Sequence, residues 1–373
     1  MKAGSNLYVG MLSGTSRDGV DGVLVRFDQD RPELLATQCV RYPDGLAEVL
    51  RRMIERGRRP HKEALALVDR ELAEFFALAG WSLLDQAGIE ATSLAAIGSH
   101  GQTVWHAPGG AQPETIQLGD PQRIADLLGT VTVGNFRQAD LRAGGQGAPL
   151  APLLHRTLLQ PEQGIRAVLN IGGIANVSLV DANGTVRGYD TGPGNCLLDA
   201  WVQKRQHQDF DAGGRWASTG KIDIHLLNVL LDDPYFSLGP PKSTGVEYFN
   251  IYWLQSRLSQ HAQTTPEDVQ ATLSEFTAQS VANEIQASAA HELLVCGGGA
   301  HNDDLMARLA RLLPGIAVNT TAISGLDPDW MEGILFAWLA RERLARRHQH
   351  TRPITGARQD VLLGDVFHPQ SAR

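Results

Sequence analysis

Two stretches of this chain share one plan and begin about 160 residues apart. Residues 7–27 and 167–180 each contain an apolar run, a polar turn with glycine and a second apolar run. Two strand-length apolar runs around such a turn predict a β-hairpin. Because the plan is repeated, we expect two similarly built lobes that face each other across a cleft. Coincidence is the competing explanation, since glycine-bearing hairpins are common.

The chain length and one glycine-rich segment predict where the lobes divide. A chain of 373 residues is long enough for about two domains. The small-residue segment 143–149 predicts a hinge or the lining of a cleft. We therefore expect an N-terminal lobe at 1–143, onto which 340–373 packs back, and a C-terminal lobe at 144–339.

Composition argues against several classes of partner. The formal net charge of −8 disfavours a nucleic-acid partner, which would require a basic footprint. No apolar run has the length of a membrane span, and the N-terminus lacks the apolar core of a signal peptide. The three cysteines are far apart and form no CxxC pair, which predicts free, buried thiols and a cytoplasmic location. A homodimer is compatible with the sequence but is not indicated by it.

The turn of the first hairpin carries groups that suit phosphate. Residues 13–19 supply hydroxyls and glycines, and Asp18 and Asp21 supply carboxylates. Backbone N–H and hydroxyl groups can surround phosphate oxygens, while a carboxylate holds Mg²⁺ directly or through water. The alternative is a surface hairpin whose polar residues only satisfy the turn. No Walker A, protein-kinase or HExxH motif occurs in the chain.

The segment 187–201 is the strongest candidate for acid–base chemistry. Asp190 follows an apolar strand and precedes Gly192 and Gly194, and an amphipathic helix begins at Asn195. A carboxylate at a strand end, beside a glycine turn and a helix N-terminus, is well placed to act as a base. Free N–H groups at the helix start would also suit anionic oxygens. A turn aspartate that caps the helix is the alternative.

Other polar residues near strand ends are candidates for ligand contacts. His100 and Gln102 follow a predicted strand at 94–97, where α/β folds often place such contacts. A structural histidine is the alternative at position 100. Arg137 and Asp140 can orient a sugar acid or a phosphate, or form a salt bridge at a domain edge.

Three later segments are weaker candidates. Strand 292–296 ends in glycines 297–299 before a helix, which suits the adenosine or phosphate part of a nucleotide, although a tight turn would also fit. Lys242 could reach a phosphate or be a solvated loop lysine. Glu332 begins a helix, where it could point into a cleft or stabilise the helix through the macrodipole.

Eight strings in this chain resemble the anhydro-N-acetylmuramic acid kinase family. The match runs in order from about Tyr8 to Leu339 and so spans nearly the whole chain. The strings are GMLSGTSRDGVDGVLV, IGSHGQTVWH, NFRQADLRAGGQGAPL, LNIGGIANVSLV, GYDTGPGNCLLDAW, PPKSTG, VCGGGAHND and WMEGILFAWLA.

This resemblance implies a fold and a reaction. The fold would be the α/β, ribonuclease H-like fold of sugar kinases, Hsp70 and actin, with two lobes on mixed five-stranded sheets and a cleft between them. The reaction would convert 1,6-anhydro-N-acetylmuramic acid, ATP and water to N-acetylmuramic acid 6-phosphate and ADP, in peptidoglycan recycling. Asp190 would draw a proton from the water that attacks the anomeric carbon, and O6 would take the γ-phosphoryl group.

The same resemblance implies two sets of binding residues. Asp18 and Asp21 are also the candidates for holding Mg²⁺ with ATP, and no protein-only metal site is expected. The nucleotide set is Gly14, Thr15, Ser16, Arg17, Asp18, Gly19, Val20, Asp21, Gly172, Gly173, Gly297, Gly298 and Gly299. The substrate set is Gln102, Arg137, Asp140, Gly147, Asn195 and Glu332.

Three positions depart from the patterns of these families. Arg17 stands where the kinase family more often has leucine, and Asn135 where it more often has aspartate. Leu12 occupies the position of the usual superfamily aspartate, as it does in the kinase family. Two other functions stay open: a non-catalytic nucleotide-binding switch, and a glycosidase that opens the anhydro ring without ATP.

Overall fold

The chain alternates strands and helices, and the computed structural model describes residues 5–14, 19–55, 58–110, 112–259, 261 and 263–370. Within these residues the strands are β1 (Leu7–Ser13), β2 (Gly19–Asp28), β3 (Arg31–Arg41), β4 (Ala96–Ala107), β5 (Glu114–Leu118), β6 (Thr132–Gly134), β7 (Ile165–Ile171), β8 (Ile174–Asp181), β9 (Val186–Pro193), β10 (Glu292–Cys296), β11 (Ala317–Thr320) and β12 (Asp365–Phe367). The helices are α1 (Asp44–Glu55), α2 (Lys62–Ala87), α3 (Pro121–Leu128), α4 (Gln138–Arg142), α5 (Ala151–Leu159), α6 (Cys196–Gln206), α7 (Ile224–Leu231), α8 (Ile251–Leu258), α9 (Pro266–Ala287), α10 (Asp303–Leu312), α11 (Met331–Leu344) and α12 (Arg352–Thr355).

The chain divides into two compact units. Unit 1 comprises Met1–Leu158 and Trp330–Arg373, and unit 2 comprises Leu159–Asp329. Helix α11 belongs to unit 1, and β12 from the end of the chain pairs with β6 in the same unit. The lobe boundaries expected from the sequence, after residues 143 and 339, stay a prediction.

Both units contain a mixed sheet with the same core order. In the described part of unit 1 the sheet has seven strands in the order β12-β6-β4-β1-β2-β3, with β5 paired to β4. The described part of unit 2 has five strands in the order β11-β10-β7-β8-β9. Each sheet joins an antiparallel three-strand meander to two further strands that run parallel to its first strand. The predicted α/β class and repeated plan are confirmed. The expected five-stranded sheet is found in unit 2, whereas β5 and β12 extend the sheet of unit 1 to seven strands.

The predicted strand at 94–97 is longer than expected. Strand β4 continues through Ala107 because its second half pairs antiparallel with β5. His100 and Gln102 therefore lie inside a strand and not in a loop after it. Apolar periodicity did not reveal this extension, because the second half of the strand is mostly polar or aromatic.

Helix α11 packs unusually close to the strands of unit 1. A β-carbon at Gly10 of β1 would lie 1.9 Å from the carbonyl oxygen of Gly333, and one at Gly98 of β4 would lie 2.0 Å from that of Phe336. Both distances are far inside van der Waals contact, so only glycine permits this approach. The close packing fixes the start of α11, and with it Glu332, relative to β1 and β4.

Helix α9 organises the core of unit 2. One of its faces packs with α10 against the sheet, around Leu169, Val177 and Val295. Another face packs with α6, α7 and α8, around Trp201 and Phe276. Strand β9 is thereby supported by a helix that is buried over most of its length.

Two predictions from composition can be compared with the structure. No described helix is long and apolar enough to cross a membrane. The cysteines are free thiols, as expected, but Cys39 is exposed and only Cys296 is fully buried. Cys39 lies on β3, a strand at the edge of its sheet that is mostly half-exposed.

Candidate active site

Asp190 lies within β9, on the edge strand of the unit 2 sheet. It is 7% exposed and stands opposite Asn176 of β8, beside an irregularity in the register of the two strands. Residues directly opposite each other project from the same face of a sheet. Asn176 was missed from the sequence, and its buried Oδ1 accepts no hydrogen bond from the described residues. Because Asp190 is inside a strand and α6 begins at Cys196, the helix-capping alternative is wrong.

Three hydrogen bonds tie Asp190 to residues distant in sequence. Its carboxylate Oδ2 accepts from the amide N–H of Thr244 at 2.9 Å. Its own amide donates to the carbonyl oxygen of Lys242 at 3.2 Å, and its carbonyl oxygen accepts from the Tyr235 hydroxyl at 2.7 Å. The loop 242–244 therefore holds both the backbone and the carboxylate of Asp190.

Lys242 is buried, which corrects both alternatives drawn from the sequence. It is 4% exposed, and its Nζ bonds Oε1 of Glu284 on α9 at 2.9 Å. The ammonium also lies 5.1 Å from the ring centroid of Tyr235 and 5.9 Å from that of Tyr189. A lysine engaged in this way is neither a solvated loop residue nor directed at a phosphate.

The two tyrosines around this lysine are held in the neutral form. Burial, then the charges of Asp190 and Glu284, raise the pKa of Tyr235 above its ordinary range. Burial, then Glu284, raise the pKa of Tyr189 in the same way. Both phenols therefore keep their protons and act as donors: Tyr235 to the carbonyl of Asp190, and Tyr189 to Oε2 of Glu284 at 3.0 Å.

The glycine turn between β7 and β8 meets the start of α6. The carbonyl of Gly172 accepts from the amide of Asn195 at 2.8 Å, and that of Gly173 accepts from Gly194 at 2.9 Å and Cys196 at 3.1 Å. The amides at the helix start were expected to be free for anionic oxygens. Those of Asn195 and Cys196 are instead used to join the two turns.

The three glycines after β10 have different reasons to be glycine. A β-carbon at Gly297, whose φ is +79°, would lie 2.4 Å from Oδ1 of Asn170, and one at Gly299 would lie 2.4 Å from Cγ2 of Ile171. At Gly298 the nearest atom would be Nδ2 of Asn195, at 3.9 Å. Packing therefore requires glycine at the two outer positions, whereas Gly298 presents an exposed backbone. An uncrowded glycine backbone of this kind fits the close approach of a flat nucleoside group.

Part of the predicted phosphate loop can be placed in unit 1. Thr15, Ser16, Arg17 and Asp18 lie outside the described residues. Gly14, just before them, is held through its carbonyl, which accepts from Nε2 of Gln102 at 3.3 Å.

Gln102 supports the start of this loop. It is 2% exposed, and its Oε1 accepts from the Ser13 hydroxyl at 2.6 Å. Its Nε2 also donates to the carbonyl of Thr103 at 3.2 Å. With these groups engaged inside the protein, Gln102 fixes the end of β1, and its predicted contact with the sugar stays untested.

The residues after the loop belong to β2. Gly19 and Val20 begin the strand, and Val20 is fully buried, so it offers a ligand only its backbone. Asp21 is partly exposed and stands opposite Leu12 of β1 and Cys39 of β3. Among the described residues, no cluster of three or more His, Cys, Asp or Glu side chains is arranged to hold a metal ion.

Arg137 pairs with a histidine, and not with Asp140. Its Nε donates to Nε2 of His100 at 3.1 Å, while Nδ1 of His100 lies 3.1 Å from the Gly101 carbonyl. The His100 ring stacks on Phe336 at 4.5 Å between centroids. Burial, then the charge of Arg137, hold the pKa of His100 well below its ordinary value. His100 is therefore neutral, with its proton on Nδ1 and an acceptor facing Arg137.

Asp140 organises the glycine-rich segment that follows it. It is fully buried, its Oδ2 accepts from the amide of Gly147 at 2.7 Å, and its Oδ1 accepts from the Thr355 hydroxyl at 2.8 Å. A β-carbon at Gly145 would lie 2.2 Å from the same carboxylate. This geometry favours a structural role for Asp140 and Gly147, so the salt-bridge alternative with Arg137 is wrong.

Two further residues singled out from the sequence have clear local settings. Glu332 is exposed in the first turn of α11, where a carboxylate complements the helix dipole. Asn135 adopts a left-handed conformation at φ 56°, which asparagine tolerates better than most residues, and its Nδ2 donates to Oδ2 of Asp365 at 3.2 Å. Asparagine therefore fits at position 135, where the kinase family more often has aspartate, and it places no charge next to Arg137.

Comparison with known proteins covers nearly the whole chain. The sequence pattern of the anhydro-N-acetylmuramic acid kinase family matches residues 6–369. A protein of that name from Xylella fastidiosa is 46% identical over 368 residues, covering 97% of this chain and 96% of its own. Another from Shewanella sp. strain ANA-3 is 45% identical over 362 residues, covering 96% of this chain and 98% of its own.

Solved structures are more distant. Component A of the (R)-2-hydroxyglutaryl-CoA dehydratase of Acidaminococcus fermentans is 12% identical, covers 91% of this chain and 100% of its own, and has a TM-score of 0.48. A ROK family glucokinase from Streptomyces griseus is 15% identical, covers 90% and 99%, and has a TM-score of 0.40. At these TM-scores the structures support no inference about this chain. The family match and the two sequence relatives do: the chain belongs to the anhydro-N-acetylmuramic acid kinase family.

Proposed function

We propose that this chain opens 1,6-anhydro-N-acetylmuramic acid hydrolytically and phosphorylates O6 at the expense of ATP, with Asp190 as the base. The observation that carries the proposal is the setting of Asp190. Its carboxylate is nine-tenths buried on β9 and oriented by the Thr244 amide, beside the glycine turns of the same unit. A base for this reaction must be held within hydrogen-bond reach of the proton that it removes.

The proposed reaction requires one proton transfer, from water to the Asp190 carboxylate. The carboxylate accepts a proton from a water molecule as the water oxygen bonds to the anomeric carbon and the bond from that carbon to O6 breaks. The freed O6, which keeps the electron pair of the broken bond, then bonds to the γ-phosphorus of ATP, and ADP is the leaving group. Mg²⁺ bound with the ATP would supply positive charge that offsets the charge developing on the transferred phosphoryl group. The Thr244 N–H keeps one carboxylate oxygen fixed throughout.

Backbone groups would hold the nucleotide. Gly298, exposed and uncrowded, is the candidate for contact with the adenosine part. Gly14, held by Gln102, begins the segment assigned to the phosphates. Asp21 is the described candidate for Mg²⁺, which prefers carboxylate and water oxygens. Asp18, the second candidate, lies outside the described residues.

Arg137 is the candidate for the acidic part of the sugar. Its guanidinium has a fixed orientation because Nε donates to a neutral His100. A guanidinium held in this way can bind a carboxylate through two parallel hydrogen bonds. The lactyl carboxylate of N-acetylmuramic acid is such a group, so we assign Arg137 to it.

The assay follows directly from the proposed reaction. The protein is incubated with the anhydro-sugar, with and without MgATP, and the products are tested for a 6-phosphorylated reducing sugar. We expect product only with MgATP. Asp190→Asn should lower kcat by roughly 10²-fold or more while ATP affinity stays near the wild-type value. Asp181→Asn, at the other end of the same pair of strands, is the matched control and should keep full turnover.

Each other outcome would contradict the proposal. A reducing sugar formed without ATP would identify a glycosidase, and ATP binding without any sugar turnover would identify a nucleotide switch. Normal turnover in Asp190→Asn would remove this residue from the mechanism. Loss of the fold in that variant would mean that Asp190 is structural.

A further inference from the structure

We propose that Lys242 and Glu284 are positioning residues for Asp190: their buried ion pair sets the place of the carboxylate through the backbone of the loop 242–244. The proposal rests on the role of Asp190 as the base. It assigns a part in the reaction to a buried lysine and a partly buried glutamate that are not among the proposed catalytic or binding residues.

The geometry links the ion pair to the carboxylate in two steps. The Lys242 side chain bonds Glu284 on α9 at 2.9 Å, so the loop is anchored to a helix in the core. The main chain of the same lysine accepts from the Asp190 amide at 3.2 Å, and the Thr244 amide donates to its carboxylate at 2.9 Å. A shift of the lysine side chain would therefore move both backbone partners of Asp190.

Both charged groups of the ion pair have further contacts inside the protein. Glu284 receives Lys242 on Oε1 and the Tyr189 hydroxyl on Oε2. The ammonium lies over the rings of Tyr189 and Tyr235, and Tyr235 in turn donates to the carbonyl of Asp190. Contacts therefore run from Glu284 through Lys242 and Tyr235 to Asp190. Tyr189, which precedes Asp190 in the chain, closes the ring by its bond to Glu284.

Stability alone does not account for a pair of this kind. Removing a lysine and a glutamate from water costs free energy that their attraction barely repays, and apolar or neutral replacements of similar volume are often neutral or stabilising. Lys242 is 4% exposed and the Glu284 side chain 22%. What the pair supplies, and a neutral pair does not, is a directional, charged anchor for the loop.

A matched pair of double variants tests this. Lys242→Met with Glu284→Gln removes both charges together, so neither is left buried alone. We expect kcat to fall by roughly 10- to 10²-fold, the loss typical of a reactive group displaced by about an ångström. The KM values for sugar and ATP and the Tm should change little. Arg166→Met with Glu292→Gln removes another ion pair of the same unit, between β7 and β10, whose side chains are 22% and 18% exposed, and should leave kcat unchanged.

A background variant separates positioning from general damage. In Asp190→Asn, the Lys242→Met and Glu284→Gln changes should cause no further loss of residual turnover, because they act through the carboxylate. Losses that multiply would overturn the proposal, as would wild-type kcat in a folded double variant. Normal turnover in Asp190→Asn alone would refute the proposed function instead.

A milder variant covers the case in which the double variant does not fold. Tyr189→Phe removes only the hydroxyl that donates to Glu284. We expect a smaller fall in kcat with KM and Tm retained. If the double variant does not fold and Tyr189→Phe keeps the wild-type kcat, the proposal is also overturned.

Discussion

The amide N–H of Thr244 donates to Oδ2 of Asp190 at 2.9 Å, across 54 positions of sequence. The bond joins the loop 242–244 to the carboxylate of a residue on the edge strand β9. Both residues belong to motifs that resemble the kinase family, GYDTGPGN and PPKSTG, and the bond gives a physical reason for those two motifs to occur in one protein.

Removing the amide N–H of Thr244 should impair turnover, because the Asp190 carboxylate loses this hydrogen bond. Thr244→Pro deletes the N–H, and hydrogen bonds to charged groups contribute about 1.5–3 kcal/mol, so kcat should fall by about one to two orders of magnitude. Thr244→Ala keeps the N–H and should retain most of the turnover. Steady-state kinetics with a Tm check the comparison, and equal kcat values in the two folded variants would contradict it.

The glycines after β10 should separate ligand binding from stability. At Gly298 a β-carbon meets nothing closer than 3.9 Å, so Gly298→Ala should fold normally and raise the KM for ATP. At Gly299 a β-carbon would lie 2.4 Å from Ile171, so Gly299→Ala should lower the Tm, by overpacking that typically costs about 1–3 kcal/mol. An unchanged KM for ATP in Gly298→Ala would argue against a nucleotide at this turn.

The neutral imidazole of His100 should control the affinity for the sugar acid. His100→Phe keeps a ring against Phe336 but removes the acceptor for Nε of Arg137. We expect the KM for the anhydro-sugar to rise several-fold while the KM for ATP is unchanged, because the guanidinium loses its fixed orientation. Arg137→Met should raise the same constant further. If the KM for ATP rose instead, Arg137 would belong to the nucleotide site.

Buried histidines in unit 1 should make the fold sensitive to acid. Burial lowers the pKa of His155 to about 3, and burial with the charge of Arg137 lowers that of His106 to about 3, from an ordinary 6.5. The folded state therefore keeps these rings neutral where the unfolded chain protonates them. Since the unfolded state binds more protons between about pH 6.5 and 3, the free energy of unfolding should fall as the pH drops through that window.

Thermal unfolding at pH 7 and pH 5 measures this effect. The Tm should be lower at pH 5, and His155→Gln should show a smaller decrease between the two values than the wild type. His348→Gln, at an exposed position, is the control and should keep the wild-type decrease. An equal decrease in His155→Gln would show that burial of this ring does not govern the acid response.

Local patterns in the sequence were enough to predict several elements of the fold. The two hairpins, the strand at 292–296 and the helix that begins at Pro266 all follow from short-range periodicity, turn glycines and a proline at the first helical position. The extent of β4 did not, because it depends on pairing with β5. The added strands of unit 1 likewise depend on partners that the periodicity of one segment cannot reveal.

Sequence alone also singled out Asp190 and the glycine turns as candidates, because a carboxylate after an apolar run and runs of glycine are local signals. Only the tertiary structure decided what surrounds them: that Lys242 is buried against Glu284, that the amides of Asn195 and Cys196 at the start of α6 are occupied, and that Asn176 stands opposite Asp190. The physical reason is that burial and hydrogen-bond partners depend on which segments meet in space. These contacts join residues that are tens of positions apart in the sequence, whereas periodicity and turn chemistry act over only a few residues.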